Sequence, residues 1–535
     1  TTIEPAMTIE SGAILTALVL AVLLASAVAL LVSWAYRRRM VALMRAAPPP
    51  DDSHAAAPPP RQLPGTSAGT TDLGVNRRAY RRLLLALAGL CLVIGLTQAW
   101  LALHFVYQTP DFSFNRLLIL GLVYAWPMVL AWGLAARWPW TRVVAGILVY
   151  LGLMAAVVMI GSTAAQSLAG VLSWLGGVVA IPLLVTLFIS ASGRIRAVAP
   201  YLLPPFLILS ASSVAVLEVL VVATGGSTPP SWLAALLGVL GAYGTIAVLV
   251  LAPWLVLAWP VYALARWLAA AYRDKRFSDL SYLLGAYWFV VLSASALPAL
   301  QGVGWAGLTQ LLPWLWIPLA WRVLPGWLRP AADPPTLLVL RVFQRDAAVE
   351  ALFDRVVERW RLTGNTVLIA GTDLISRTLD PDDLFAFFNR ALASRFIPRT
   401  AEIPARLAAF DLRPDPDGRY RVNECYCFDT TWQATLEALV ERSDQVLMDL
   451  RGFRAENQGC RFELRALAAA AHLQRVVLLY DDATARAIAN DEIAAAPASR
   501  FVWLDGNRLN RATTQRVIHT LFAATDDRAA QPAPA

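Results

Sequence analysis

Residues 330–343 read PAADPPTLLVLRVF, and two kinds of chain meet in them. Three prolines within six residues stop any helix arriving from the N-terminal side. The Leu- and Val-rich run Thr336–Phe343 that follows has the make-up of a buried β-strand. Upstream lie long apolar runs. Downstream, short apolar runs alternate with amphipathic ones.

The downstream pattern predicts an α/β domain over residues 331–527. Ala347–Leu362 carries Val349, Leu352, Phe353, Val356, Val357 and Trp360 on one helical face, and Gly364 ends that helix. A strand over Thr366–Ala370 follows, then a helix over Asp380–Phe396 opened by an Asp-Pro cap signal. Strands are expected at Tyr420–Cys427, Gln445–Leu450, Val476–Tyr480 and Phe501–Leu504. Helices are expected at Thr431–Arg442, Gly459–Leu473 and Thr513–Ala524. Such alternation predicts a doubly wound, mainly parallel sheet covered by helices on both faces. Ligands of these sheets bind at the carboxyl ends of the strands. That places Gln344 and Arg345, Gly371–Asp373, Asp449–Gly452, and Asp481 with Asp482 near a site. Residues 528–535 read as a disordered tail.

The upstream pattern predicts membrane spans. Of 535 residues 58% are hydrophobic and 15% charged, far from the soluble average of about 25% charged. Crossing the hydrocarbon core takes about 20 apolar residues. Nine stretches qualify: 12–34, 83–106, 117–136, 143–162, 168–191, 200–223, 232–258, 281–300 and 306–323. The seventh runs on through Pro253 and Pro260 to Tyr272, as a kinked helix or a span with an interfacial continuation. Residues 1–47 read as an anchor helix with a basic flank, 48–76 as a disordered linker rich in Pro, Ala, Ser and Asp, and 77–330 as about eight further helices.

The net charge of +8 sits mainly at span ends, which excludes nucleic acid as the natural reading. Arg37, Arg38, Arg39, Arg45, Arg77, Arg78, Arg81, Arg82, Arg137, Arg142, Arg194, Arg196, Arg273, Lys275 and Arg276 fall in alternate loops; the intervening segments Tyr107–Asn115, Thr163–Ser167, Gly225–Ser231 and Gln301–Gly304 carry no Lys or Arg. By the positive-inside rule the N-terminus is outside and the α/β domain cytoplasmic, at a plasma (inner) membrane. The first span has no basic region before it, so it reads as a retained anchor. Glu218 is the one clear intramembrane carboxylate. It is either an ion site or a group reaching the headgroups.

Four cysteines, Cys91, Cys425, Cys427 and Cys460, form no disulfide framework. Cys425 and Cys427 share one face of a strand, and buried thiols outweigh a metal site there. Asn423, Glu424 and Asp429 gather polar groups at the end of that strand. Neither phosphate-loop pattern follows a strand, and there is no GxSxG elbow, which argues against a conventional ATPase, dinucleotide dehydrogenase or α/β-hydrolase.

Leu436–Leu464, LEALVERSDQVLMDLRGFRAENQGCRFEL, resembles the middle of TIR (Toll/interleukin-1 receptor homology) domains: a helix ending in Ser, a buried strand, a polar loop, then Cys followed three residues later by Glu-Leu. Gly364–Leu374, GNTVLIAGTDL, looks like the second box of that family. The similarity spans about 150 residues. VFQRD stands where the family carries Ser and an aromatic, Gly459 where it carries Trp, and Pro398–Cys427 is additional. The resemblance implies a TIR-like, flavodoxin-like fold on a bacterial-type polytopic membrane protein. It implies that Glu463 is catalytic in cleaving NAD, with Gln344 and Arg345 flanking the nicotinamide; Asp373, Asp449 and Arg451, at strand ends, complete the expected binding set. NAD enters as substrate; no cofactor and no metal are expected. The expected role is a membrane-tethered signalling or defence effector that binds or cleaves a nucleotide or self-associates into a homo-oligomer. The alternatives are a non-enzymatic sensor or scaffold recruiting a protein partner, and a transporter with a regulatory domain. Expected partners are the lipid bilayer and a second copy.

Overall fold

The computed structural model describes residues 11–45, 73–109, 113–162, 167–190, 193–224, 230–329, 334–342, 352–370, 386–388, 390, 392–473 and 475–522. They fall into two compact units. One is built on Thr1–Trp34 and Leu84–Val323, the other on Ala35–Leu83, Leu324–Thr378 and Asp383–Ala535.

The first unit is helical and apolar. Its helices are α1 (Ser11–Arg45), α2 (Leu73–Leu101), α3 (Phe114–Tyr124), α4 (Pro127–Ala135), α5 (Trp140–Gly161), α6 (Leu168–Ser190), α7 (Gly193–Thr224), α8 (Ser231–Arg273), α9 (Asp279–Val303) and α10 (Trp316–Val323), of which α1 and α2 each continue into the second unit. Among the described residues seven helices are long and apolar enough to cross a membrane, or eight if the bent pair α3–α4 forms one span. The ninth expected span, 306–323, is not one long α-helix. Gly304, at φ 61°, ends α9, and Gly304–Leu315 winds as a 3₁₀-helix containing Pro313 before α10 begins. The expected seventh span lies in α8, which is two helices meeting at a kink at Gly241 (φ 67°), with Pro253 and Pro260 inside the second of them.

Some polar groups within this unit bond from one helix to another. Gln98 Nε2 donates to Ser295 Oγ at 3.0 Å, and Trp314 Nε1 to the Gly285 carbonyl at 2.9 Å. Glu218 lies on α7, but its side chain falls outside the described residues.

The second unit holds the short helix α11 (Pro325–Leu328) and a seven-stranded sheet: β1 (Thr336–Arg341), β2 (Asn365–Ile369), β3 (Phe396–Ile397), β4 (Val422–Cys427), β5 (Gln445–Asp449), β6 (Arg475–Tyr480) and β7 (Phe501–Asp505). The order is β3-β4-β2-β1-β5-β6-β7 and every pairing is parallel. Without β3 and β4 the order reduces to second-first-third-fourth-fifth, the doubly wound pattern in which the direction of travel reverses beside the first strand.

Both faces are covered, which explains why the strands are almost wholly apolar rather than alternating. On one face Leu338, Leu340, Val446, Met448 and Leu478 pack with Leu436, Leu439 and Val440 of α14 (Trp432–Glu441) and Leu464 and Leu467 of α15 (Gln458–Ala469). α13 (Ile403–Ala408) and α16 (Arg486–Ile493) complete that layer. On the other face Leu337, Val339, Leu447 and Val477 meet Val356, Val357 and Trp360, together with Val517 and Leu521 of α17 (Arg511–Phe522). Trp360 ends α12 (Glu358–Trp360), entered through a π-turn at Phe353–Val357.

Gly364 answers to close packing as much as to helix termination. A Cβ there would lie 2.5 Å from Trp360 Nε1 and 2.7 Å from the Pro335 carbonyl oxygen. The indole is held in that place by its bond to the Asn365 carbonyl at 2.8 Å.

Two expectations need correction. The helix over Asp380–Phe396 does not reach Phe396: Leu392–Arg395 is a 3₁₀ turn and Phe396 opens β3, pairing with Tyr426. The linker over 48–76 ends too late, because α2 starts at Leu73. Asn76 is fully buried, and its Nδ2 donates to the Arg359 carbonyl at 2.8 Å and to Thr363 Oγ1 at 3.1 Å. Those bonds give an otherwise polar stretch a reason to fold.

The additional Pro398–Cys427 segment is locked by ion pairs. Arg421 Nε meets Asp415 at 2.9 Å, Arg419 Nε meets Asp417 at 2.9 Å, and Glu358 bridges Arg419 and Arg361 at 3.0 and 2.7 Å. Asn423 accepts from the Asp411 amide at 2.9 Å and returns a bond to the Asp411 carbonyl, so it latches the segment.

Candidate functional site

β1 is followed by strands on one side of itself, and the chain then crosses to β5 on the other side. The crevice between the carboxyl ends of β1 and β5 is therefore the switch point of the sheet, where open α/β sheets take their ligands. In register, Arg341 stands opposite Asp449 there.

Glu463 comes to this place because α15 starts directly after the β5 loop and carries it one turn in. It shares a helix face with Leu464 and Leu467, which anchor α15 in the core, and is only 4% exposed. Its Oε2 is buried without a hydrogen-bond partner. Burial pushes its carboxyl up to about 8, against the charge of Arg341 and a hydrogen bond with the Cys460 thiol, both of which act downward. The Cys460 thiol is raised in turn by burial and by the carboxyl beside it. A protonated Glu463 is a donor and an ionised one a strong acceptor, so near neutral pH the group can serve either way.

Arg341 is 2% exposed, and its Nη1 donates to the Ile369 carbonyl at the end of β2 at 3.4 Å. It was not among the residues expected from sequence. A cation ending an otherwise apolar strand, TLLVLR, was the available signal, since burying it there costs several kcal/mol unless something nearby needs the charge.

Asp449 and Arg451 are both at the site but engage each other. Arg451 Nε donates to Asp449 Oδ1 at 2.8 Å and Nη2 to Oδ2 at 2.5 Å. The pair fixes the loop after β5 rather than presenting two open groups. Asp481, at the end of β6, accepts from Gly452 N at 2.8 Å and from Thr484 Oγ1 at 2.9 Å, which steadies the same loop. Asp482 pairs with Asn507 Nδ2 at 2.8 Å. Gln344, Arg345 and Asp373, with Gly371, lie outside the described residues.

Cys425 and Cys460 belong to the apolar core and Cys427 packs against it, so the three thiols behave as small hydrophobes. Burial raises Cys425, and raises Cys427 to about 11, which keeps them protonated. Glu424 accepts from Tyr426 Oη at 3.0 Å, whereas Asp429 is exposed, so the polar group expected at this strand end is dispersed. Among the described residues no three His, Cys, Asp or Glu are grouped to hold a metal ion. Compared with known proteins, the chain matches no family model, no curated protein and no solved structure.

Proposed function

We propose that this protein is a membrane-tethered signalling or defence effector whose TIR-like α/β unit, on the cytoplasmic side, binds a nucleotide such as NAD between β1 and β5 and cleaves it. One observation carries the reading: Glu463 buries a carboxyl oxygen without a partner at the switch point of the sheet, beside a buried cation. Leaving a polar atom so costs about 1–3 kcal/mol, a cost that a bound hydroxyl would remove.

In the proposed reaction the ionised Glu463 accepts from a ribose hydroxyl and stabilises positive charge developing at C1′. The bond from C1′ to the nicotinamide nitrogen breaks, its electron pair leaves with the ring, and nicotinamide departs neutral. Water adds its oxygen to C1′ and releases a proton, leaving ADP-ribose. Arg341, fixed at the end of β1, supplies positive potential for the anionic diphosphate.

The test is the full-length protein in lipid nanodiscs with NAD, following nicotinamide release at high protein density. Release that Glu463→Gln abolishes supports catalysis. Intact NAD together with no measurable nucleotide binding, in protein whose α/β unit is folded, removes the reading.

A further inference from the structure

Arg359, on α12, is a half-buried guanidinium whose neighbours are a ring and other cations rather than a carboxylate. It lies over Tyr80 of α2, 3.8 Å from the ring centre. Arg77, one turn earlier on α2, stands near enough to act on its charge. The same Arg77 donates from Nη2 to Nε2 of His519, in the last turn of α17, at 3.3 Å. Burial lowers the Arg359 guanidinium to about 10, and Arg77 acts in the same direction, against Tyr80. The bonds from Asn76 to the Arg359 carbonyl and Thr363 Oγ1 fasten the first turn of α2 here and hold the cations together. Arg81, four residues after Arg77, is exposed and shares its helix face.

Other arginines of this unit are balanced: Arg361, Arg419, Arg421 and Arg451 each meet a carboxylate, at 2.7, 2.9, 2.9 and 2.5 Å. Among the described residues neither Arg77 nor Arg359 does. The cluster also lies away from the candidate nucleotide crevice. β2 starts at Asn365, directly after Thr363, so these side chains gather at the amino end of the parallel sheet.

We propose that Arg77, Arg359 and His519 form a binding site for a phosphate group, with Arg81 at its rim, independent of the nucleotide reading above. A guanidinium offers paired N–H donors that match two phosphate oxygens. Arg359, held flat on Tyr80, has little freedom left to lose on binding. An anion would also offset the mutual repulsion of Arg77 and Arg359. The sequence of α2 favours a lipid as the bearer of the phosphate. Its apolar run starts at Leu83, about 9 Å along the helix axis from Arg77. A headgroup layer is about 5–8 Å thick, so Arg77 is within a side chain's reach of lipid phosphates.

The experiment titrates full-length protein in detergent micelles with phosphatidylglycerol and with phosphatidylcholine, whose own ammonium neutralises its phosphate, counting bound lipid by native mass spectrometry. A parallel calorimetric titration uses inorganic phosphate. Arg77→Gln and Arg359→Gln are compared with Arg511→Gln, which removes the same charge at the opposite end of α17. The expected result is a preference for phosphatidylglycerol, weakened tenfold or more by either site substitution and unchanged by Arg511→Gln. Inorganic phosphate binding with that same pattern of losses, and no lipid preference, upholds the site and makes its ligand a soluble one. The inference is overturned if phosphatidylglycerol binds no better than phosphatidylcholine and inorganic phosphate does not bind. Equal losses in all three variants overturn it as well, since the arginines would then act only as diffuse charge. Arg77 is exposed, so its variant keeps the test decisive even where Arg359→Gln melts early through the lost stacking on Tyr80.

Discussion

Arg451 holds Asp449 through two parallel hydrogen bonds, Nε to Oδ1 at 2.8 Å and Nη2 to Oδ2 at 2.5 Å, with both side chains buried. A fork of this kind fixes direction as well as distance. It also commits the protein to both partners, because either charge left alone would be buried without compensation.

Asp449→Ala will therefore destabilise the α/β unit by about 3–5 kcal/mol, the usual cost of breaking a buried pair from one side. Replacing both residues, Asp449→Leu with Arg451→Met, will cost less than the single change. Denaturant melts of the full-length protein in detergent, followed by tryptophan fluorescence, measure the ranking. A double variant that loses as much as the two single changes added together would show that the pair is not coupled.

Glu463 gives the unit a pH dependence of definite sign. Burial raises its carboxyl from an ordinary value of 4.5 to about 8 in the folded protein, so between those limits the folded state holds a proton that the unfolded state has released. The stabilisation is complete below pH 4.5 and declines toward pH 8, at about 1.4 kcal/mol per pH unit from this group. Glu463→Gln removes that slope, and melts at pH 5.5, 6.5 and 7.5 will show it flattened. Nicotinamide release by the unsubstituted protein will rise over the same range, toward pH 8, as the carboxylate forms.

Asn76 is a cheaper probe of the polar start of α2. Its Nδ2 holds the Arg359 carbonyl and Thr363 Oγ1, and Arg359 in turn stacks its guanidinium 3.8 Å from the Tyr80 ring centre. Asn76→Ala will cost about 1–3 kcal/mol through the two bonds lost. Asn76→Asp will cost more at neutral pH, because a carboxylate cannot donate and would face a carbonyl. Mild proteolysis of residues around Leu73, read by mass spectrometry, will report the loosening.

Much of this fold was legible in the chain because hydrophobic period depends on local sequence. β5, α14, α15 and β6 fall within a few residues of their expected limits, since each is a run of one pattern bounded by polar residues. β3 was not legible: two residues, Phe396–Ile397, make a strand only because Tyr426 and Cys427 lie beside them. The ninth expected span met the apolar-length rule, but Gly304 and Pro313 shape its backbone in ways that composition does not register. At the candidate site, Glu463 was expected from the Cys-x-x-Glu-Leu pattern and Asp449 and Arg451 from their position after a strand. Their mutual pairing and the presence of Arg341 depend on strand register, which no single stretch of sequence contains.

The ion pairs of the Pro398–Cys427 segment give the last test. Glu358 sits between Arg361 and Arg419 at 2.7 and 3.0 Å, Asp417 supplies the second carboxylate to Arg419 at 2.9 Å, and all four side chains are largely buried. Two negative and two positive groups balance. Glu358→Gln leaves two guanidiniums with one carboxylate, a net buried cation, and is expected to cost about 3–5 kcal/mol. Removing Arg419 as well, by Arg419→Met, restores the balance between Arg361 and Asp417, so the double variant will melt above the Glu358→Gln single variant despite carrying one more substitution. Additive losses in that double-mutant cycle would mean that the four charges act as separate pairs. A recovery of 1 kcal/mol or more would show that they act as one neutral network, which holds the inserted strand β4 against β2.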